Sequence, residues 1–277
     1  MGITGNKGKA VSSETAKLAR RERFLEKQNS QDEFRKNNPN RLVCGIWGHP
    51  KTTKSGLALD FPNHRIFVLD WDNGVEPTWR QNHSMTDRIT IFNPAEYDSE
   101  GNLMHVESDE NSHDFVAYVK EIIETTEDKI MFVFDGIDSW LECCNIYVTG
   151  HGGGRSTVPK FEWSKRTHPY LKLLRAVREL DCDQIYITHA KDIYGEGGFT
   201  VTGQQPNWIA GKKDLGTQLF QVIRTKRIQK GNKVIYKAEL LSSKTNTPLV
   251  GKTWETLSVE NGDVVWNGIP ELREGTL

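Results

Sequence analysis

The residues of this 277-residue chain best suited to chemistry are Gly48-His49-Pro50-Lys51-Thr52-Thr53-Lys54-Ser55, which follow the apolar run Leu42 to Trp47. They nearly complete the pattern G-x-x-x-x-G-K-[ST]. In that pattern inward-turned backbone N–H groups hold phosphates, the lysine reaches the β- and γ-phosphates, and the hydroxyl meets Mg²⁺. Lys54 and Ser55 take the last two roles, so the segment reads as a loop for a nucleoside triphosphate. Thr53 stands where the second glycine is usual, and a side chain there crowds the phosphate or alters the loop. The same residues also read as a polar turn in which Thr52 or Thr53 caps the helix Ser55 to Leu59.

Phosphoryl transfer needs an acidic group beside the magnesium and a polar group that positions water. Lys129-Ile130-Met131-Phe132-Val133-Phe134-Asp135 is an apolar run ending in a carboxylate, which puts Asp135 beside Ser55 as the second metal ligand. The alternative for Asp135 is the cap of a helix starting at Gly136, where Asp138 or Ser139 compete. Phe67 to Asp72 is a further apolar strand ending in carboxylates, so Asp72 is the expected base, and Glu76, just past Gly74, is the alternative. Either also fits a solvated turn. His189 follows the β-rich run Gln184 to Thr188, at the strand edge where open α/β sheets bind ligands, and there it would sense the γ-phosphate.

Positioning these groups requires strands that end side by side. Short β-rich runs at 42–47, 65–70, 89–93, 130–135 and 184–188 alternate with amphipathic stretches at His113 to Thr126 and Thr167 to Leu180. That alternation predicts an α/β domain with a largely parallel sheet. Leu219 to Ile228 and Lys233 to Leu241 predict an antiparallel hairpin that extends it. Two long segments with few apolar anchors, Gly150 to Lys165 and Ile193 to Gly211, are expected to be functional loops or disordered. The first forty residues are charged and polar, and read as a helix over Ser13 to Lys27 or as a disordered appendage.

The net charge of −1 gives no global case for a nucleic-acid partner, although basic clusters occur at 151–175 and 212–233. No apolar run approaches the length of a membrane span, and Met1 to Lys9 lacks a secretory apolar stretch, so a soluble intracellular protein is expected. Cys44, Cys143, Cys144 and Cys182 show neither C-x-x-C pairing nor zinc spacing and read as reduced thiols.

In order and spacing, the phosphate loop, Phe67 to Asp72, Phe132 to Asp135, the two inserts, Ile185 to His189 and the basic hairpin resemble the RecA-type recombinase ATPase core. They are similar in particular to short phage nucleotide-binding proteins of that superfamily associated with single-strand annealing. The resemblance implies a RecA-like P-loop NTPase core over 41–248, with an appendage at 1–40 and a tail at 249–277. Its mostly parallel central sheet would be flanked by helices and extended by the antiparallel hairpin. It implies ATP and Mg²⁺ as cofactors, and DNA-stimulated ATP hydrolysis in recombination, annealing or replication. Asp72 falls where the family places a catalytic glutamate, and His189 where it usually carries glutamine. Lys244 resembles a lysine inserted into the neighbouring subunit's ATP site, and reads equally as an exposed strand-end residue.

The two inserts match the loops that touch single-stranded DNA in that family. Arg155, Lys160, Phe161, Trp163 and Lys165 in the first, and Phe199, Trp208, Lys212 and Lys213 in the second, supply phosphate partners and stacking faces. The alternative is that both tryptophans pack on the domain and the lysines are solvated. The implied assembly is a homo-oligomeric filament or ring with ATP between subunits, in the bacterial cytoplasm if phage-encoded. Two other readings remain: a helicase-like or loader motor, and a nucleotide-binding structural module without turnover.

Overall fold

The computed structural model describes residues 7–37, 41–82, 86–150, 162–195, 198, 200–208 and 215–277. The chain divides into two compact units, Met1–Arg41 and Leu42–Leu277. The described part of the first includes the helix α1, Lys7–Asn37. Its apolar residues Leu18, Phe24 and Leu25 are exposed.

In the second unit the strands β1 (Val43–Gly48), β2 (Arg65–Asp70), β3 (Ile89–Phe92), β4 (Ile130–Asp135) and β5 (Asp183–Tyr194) form the parallel part of one sheet. Spatial order across the sheet is β10 (Asp263–Trp266), β9 (Thr253–Glu260), β8 (Lys233–Ser243), β7 (Gln221–Lys230), β1, β5, β4, β2, β3. Every residue of β1 and β4 is buried, the expected outcome when helices cover both faces of parallel strands. Alternate residues feed two cores. Phe67, Leu69, Phe132, Phe134 and Tyr186 pack against α4 (His105–Thr125), α5 (Ile137–Thr149) and α6 (Trp163–Arg178). Ile46, Ile66, Val68, Val133 and Ile187 pack on the other face with α2 (Lys54–Leu59) and its neighbours.

After the short helix α7 (Leu215–Gln218), the predicted hairpin forms as β7 (Gln221–Lys230) and β8 (Lys233–Ser243), with β7 parallel to β1 and antiparallel to β8. Residues beyond 249, read as a tail, add β9 (Thr253–Glu260) and β10 (Asp263–Trp266) to the same sheet, followed by α8 (Pro270–Arg273). The inward positions of β9 include Thr256 and Ser258, polar residues that hide the strand's alternation from a hydrophobicity pattern.

The second insert differs from the irregular loop expected. β5 runs past the sheet to Tyr194 and pairs antiparallel with β6, Val201–Pro206, as a two-stranded ribbon. Ile193, Tyr194 and Val201 are exposed on it, so no one-sided apolar pattern marked these residues as strands. Residues 151–161 of the first insert lie outside the described residues. None of the four cysteines is in a disulfide, and all four are buried. Among the described residues, no helix is long and apolar enough to cross a membrane.

Candidate nucleotide site

The carboxyl ends of β1, β4 and β5 bring the candidate residues together. Gly48 is in register with His189 across β1 and β5, and Asp135 with Ile187 across β4 and β5. Gly48 has to be glycine. A Cβ there would lie 2.3 Å from Thr225 Oγ1 and 2.5 Å from its carbonyl oxygen.

The loop after Gly48 turns back on itself through left-handed backbone at Lys51 (φ 58°) and Thr53 (φ 70°). Thr52 Oγ1 donates to the His49 carbonyl at 2.7 Å and lies 2.6 Å from Thr225 Oγ1, tying the loop to β7. The φ of Thr53 explains why glycine is usual at this position, since a β-branched residue there is strained by about 1–2 kcal/mol. Thr53→Gly is therefore expected to raise stability by about 0.5 kcal/mol, the strain relief being partly offset by the freedom glycine gains in the unfolded chain. The urea unfolding midpoint tests this; a midpoint at or below that of the parent protein contradicts strain at Thr53.

Lys54 is only 6% exposed, and its ammonium donates to the carbonyls of His49 at 2.9 Å and Gly48 at 3.3 Å. Burial pulls its pKa below the usual lysine value, and the carboxylates of Asp135, Asp72 and Asp138 pull the other way. Ser55 Oγ donates to Asp135 Oδ2 at 2.6 Å. Burial pushes the Asp135 carboxyl up to about 7, against the lowering effect of the Ser55 bond. A carboxylate so poorly compensated by protein, paired with a hydroxyl, is an oxygen donor set of the kind Mg²⁺ takes. These residues fit the ion.

Asp70, behind Asp135, caps α3 (Val75–Asn82) by accepting from the N–H groups of Gly74 and Val75 at 3.2 and 3.0 Å. Burial raises its pKa. Asp72 points into the site: its Oδ1 accepts a short bond from Ser139 Oγ, and its Oδ2 lies 3.6 Å from His189 Nδ1. Gly136, at φ 91°, makes room for Asp72, whose carboxylate a Cβ there would approach within 2.7 Å.

Asp138 is the site residue that the sequence presented only as a capping competitor. Its Oδ2 is 3.0 Å from His189 Nδ1, and its Oδ1 accepts from Thr188 Oγ1 at 3.0 Å and from the His189 N–H at 3.2 Å. The signal was its spacing of three from Asp135, which returns it to the strand ends from the first turn of α5. Its bond raises the pKa of His189 above the usual imidazole value, against burial and Lys54. Burial alone would lift Asp138, but the His189 bonds prevail and hold it below the usual carboxylate range. Nδ1 thus carries the proton toward Asp138 and Nε2 remains for another partner. Asp72, Asp138 and His189 each offer a ligand atom within 4.8 Å of the others.

Other expected residues lie elsewhere. Glu76 is half exposed and bonded to Arg80, one turn along α3, with Arg80 Nε at 2.8 Å. Lys244 donates to the Thr217 carbonyl at 2.8 Å and lies over the Phe220 ring. It follows β8 beside the start of β7, at the sheet edge opposite the phosphate loop. Trp208 is partly buried against the core, about 3.4 Å from where a Gly45 Cβ would stand, so packing accounts for it. Trp163 is 45% exposed, with the Arg166 guanidinium 5.7 Å from its ring, and Lys165 pairs with Glu162 at 3.5 Å. Arg155, Lys160, Phe161, Phe199, Lys212 and Lys213 lie outside the described residues.

The loop that ends β1, the acidic strand β4 separated from it by β5, and the antiparallel strands that extend the sheet belong to an α/β fold with a mostly parallel central sheet flanked by helices. No protein-family model and no curated protein matches the chain. Among solved structures, it is similar to a KaiC-like protein from the hyperthermophilic archaeon Pyrococcus horikoshii at 12% identity and TM-score 0.47, covering 82% of this chain and 90% of that one. It is also similar to the RadB recombinase at 14% identity and TM-score 0.41, covering 76% and 84%.

Proposed function

We propose that the chain binds ATP with Mg²⁺, hydrolyses it, and uses the nucleotide to control binding of single-stranded DNA. The observation that carries the nucleotide part is the convergence of Lys54, Ser55 and Asp135 at the end of β1 and β4. Lys54 exchanges its loop carbonyls for phosphate oxygens. Ser55 and Asp135 would hold magnesium, whose charge would offset that developing on the phosphates. Asp72 accepts the proton of the attacking water, and Ser139 and His189 orient its carboxylate. With Nδ1 fixed by Asp138, His189 presents Nε2 to the terminal phosphate and registers its loss.

For DNA, the ribbon β5–β6 supports the reading. It grows directly out of His189, and Gln204 on it bonds to the His49 ring of the phosphate loop. A change at the phosphates is thereby coupled to a projecting arm that exposes Tyr194 and Lys191. Trp163, Arg166 and Lys165 at the start of α6 add a stacking face and charge. Lys244 lies too far across the sheet for its own nucleotide, and in a filament or ring it would serve a neighbouring copy. Binding of fluorescent single-stranded DNA with ATP, with ADP and without nucleotide tests the coupling. The expected result is tighter binding with ATP than with ADP; equal affinity in all three states would refute it.

A further inference from the structure

The contacts of the C-terminal segment follow one face of the phosphate-loop helix. Thr256 Oγ1 lies 3.4 Å from Thr53 Oγ1, Trp266 lies against Gly56, and Arg273 Nε donates to Asp60 Oδ2 at 2.7 Å. Positions 53, 56 and 60 share a side of α2, so β9, β10 and α8 cover it turn by turn. A Cβ at Gly56 would lie 3.1 Å from Trp266 Cη2, tighter than the ring tolerates without moving. The indole Nε1 donates to Asp60 Oδ2 at 3.0 Å and fixes the ring plane. Beside it is a cavity of about 220 Å³ whose walls include Gly56, Asp60, Arg88, Trp266 and Arg273.

Resting on the nucleotide reading above, we propose that Trp266 is the stacking wall for the nucleobase and so a specificity-determining residue of the site. Lys54 and Ser55 direct their side chains inward, to the loop carbonyls and to Asp135. Leu57, Ala58 and Leu59 are sealed in the apolar core. With that side of α2 closed by the core, a triphosphate held at Lys54 would carry its sugar and base out along the solvent side of α2. The next residue on that path, Gly56, has no side chain, and the ring that stands against it is Trp266. The indole is 37% exposed and lines the cavity, while its ring edge meets Gly56 and its Nε1 is held by Asp60. The cavity is smaller than the ~300 Å³ at the low end of whole-ligand pockets, and suits one flat heterocycle. Stacking reads flatness more than base edges, so the wall favours a nucleotide over bare phosphate and tolerates either purine.

The test compares ATP with inorganic tripolyphosphate, each with Mg²⁺, by calorimetry on the full chain and on the Trp266→Ala and Trp266→Phe variants. Trp266→Ala is expected to weaken ATP roughly 5- to 100-fold, the range a lost base-stacking contact gives. Its tripolyphosphate affinity stays within twofold. Trp266→Phe keeps a flat face but loses the bond to Asp60, and retains most of the ATP affinity. Equal losses for both ligands in Trp266→Ala, or a loss in Trp266→Phe as large as in Trp266→Ala, would overturn the stacking role in favour of a purely structural one. Unmodified protein that binds neither ligand would overturn the nucleotide reading and this inference with it.

Discussion

Asp135→Asn is expected to make the nucleotide-free protein more stable while reducing magnesium-dependent turnover by at least about 100-fold, the scale of a lost metal-binding carboxylate. The stability gain follows from burial. A carboxyl raised from 3.8 to about 7 in the folded state favours folding fully only below its unfolded value, and that contribution is lost as pH rises through about 7. The shift of roughly three units corresponds to about 4 kcal/mol at pH 8. An asparagine carbonyl still accepts from Ser55 Oγ and has no charge to desolvate, so its advantage should grow between pH 5 and pH 8. Urea unfolding at both pH values measures this. A variant less stable than the parent at pH 8 would contradict the picture of an uncompensated buried carboxylate. Asp135 is therefore a residue that costs the fold stability in its ionised form, a cost that the proposed magnesium role would account for.

Asp72→Asn is the second large effect expected. If the Asp72 carboxylate takes the proton of water, the substitution lowers kcat by about 10²- to 10⁴-fold, the usual contribution of a general base. It leaves ATP affinity within about threefold, because Lys54 and Ser55, the proposed phosphate and magnesium ligands, are untouched. Asparagine nearly preserves the shape beside Gly136 and can still accept from Ser139, so the loss would be chemical and not structural. Single-turnover hydrolysis measured beside equilibrium ATP binding separates the two. A kcat within threefold of the parent would remove Asp72 from the mechanism, and Glu76, bonded to Arg80 on α3, gives no ready substitute.

Much of the parallel sheet was legible because its strands are buried on both faces and read as short apolar runs. Ser55 and Asp135 were legible as a pair because each ends or follows such a run, and their contact depends only on β1 and β4 pointing the same way. Asp138 was not. Its partner His189 is 51 residues away, and only the placement of β5 between β1 and β4 brings the two together. The β5–β6 ribbon escaped notice because it is exposed on both sides, and β9 because Thr256 and Ser258 occupy its inward face. Trp208 and Trp163 show the converse limit. Both stood in polar, glycine-bearing surroundings, yet one packs on the core and the other is half exposed, a difference set by neighbours distant in sequence.

The contact of Trp266 with Gly56 gives the C-terminal segment a reason to be in the same unit as the phosphate loop. The loop's own geometry is already strained at Thr53, and the β9 threonine beside it adds a second support on that side. Thr52 and Thr225 join the loop to the hairpin, and His49 and Gln204 join it to the ribbon.

The most direct measurement is a calorimetric titration of ATP with Mg²⁺ into the parent protein and into Lys54→Ala, with circular dichroism to establish that both are folded. The account predicts saturable binding by the parent and affinity lower by at least about 30-fold in the variant, since a buried charge-assisted contact to phosphate is lost. A folded Lys54→Ala protein that binds ATP as tightly as the parent would contradict it.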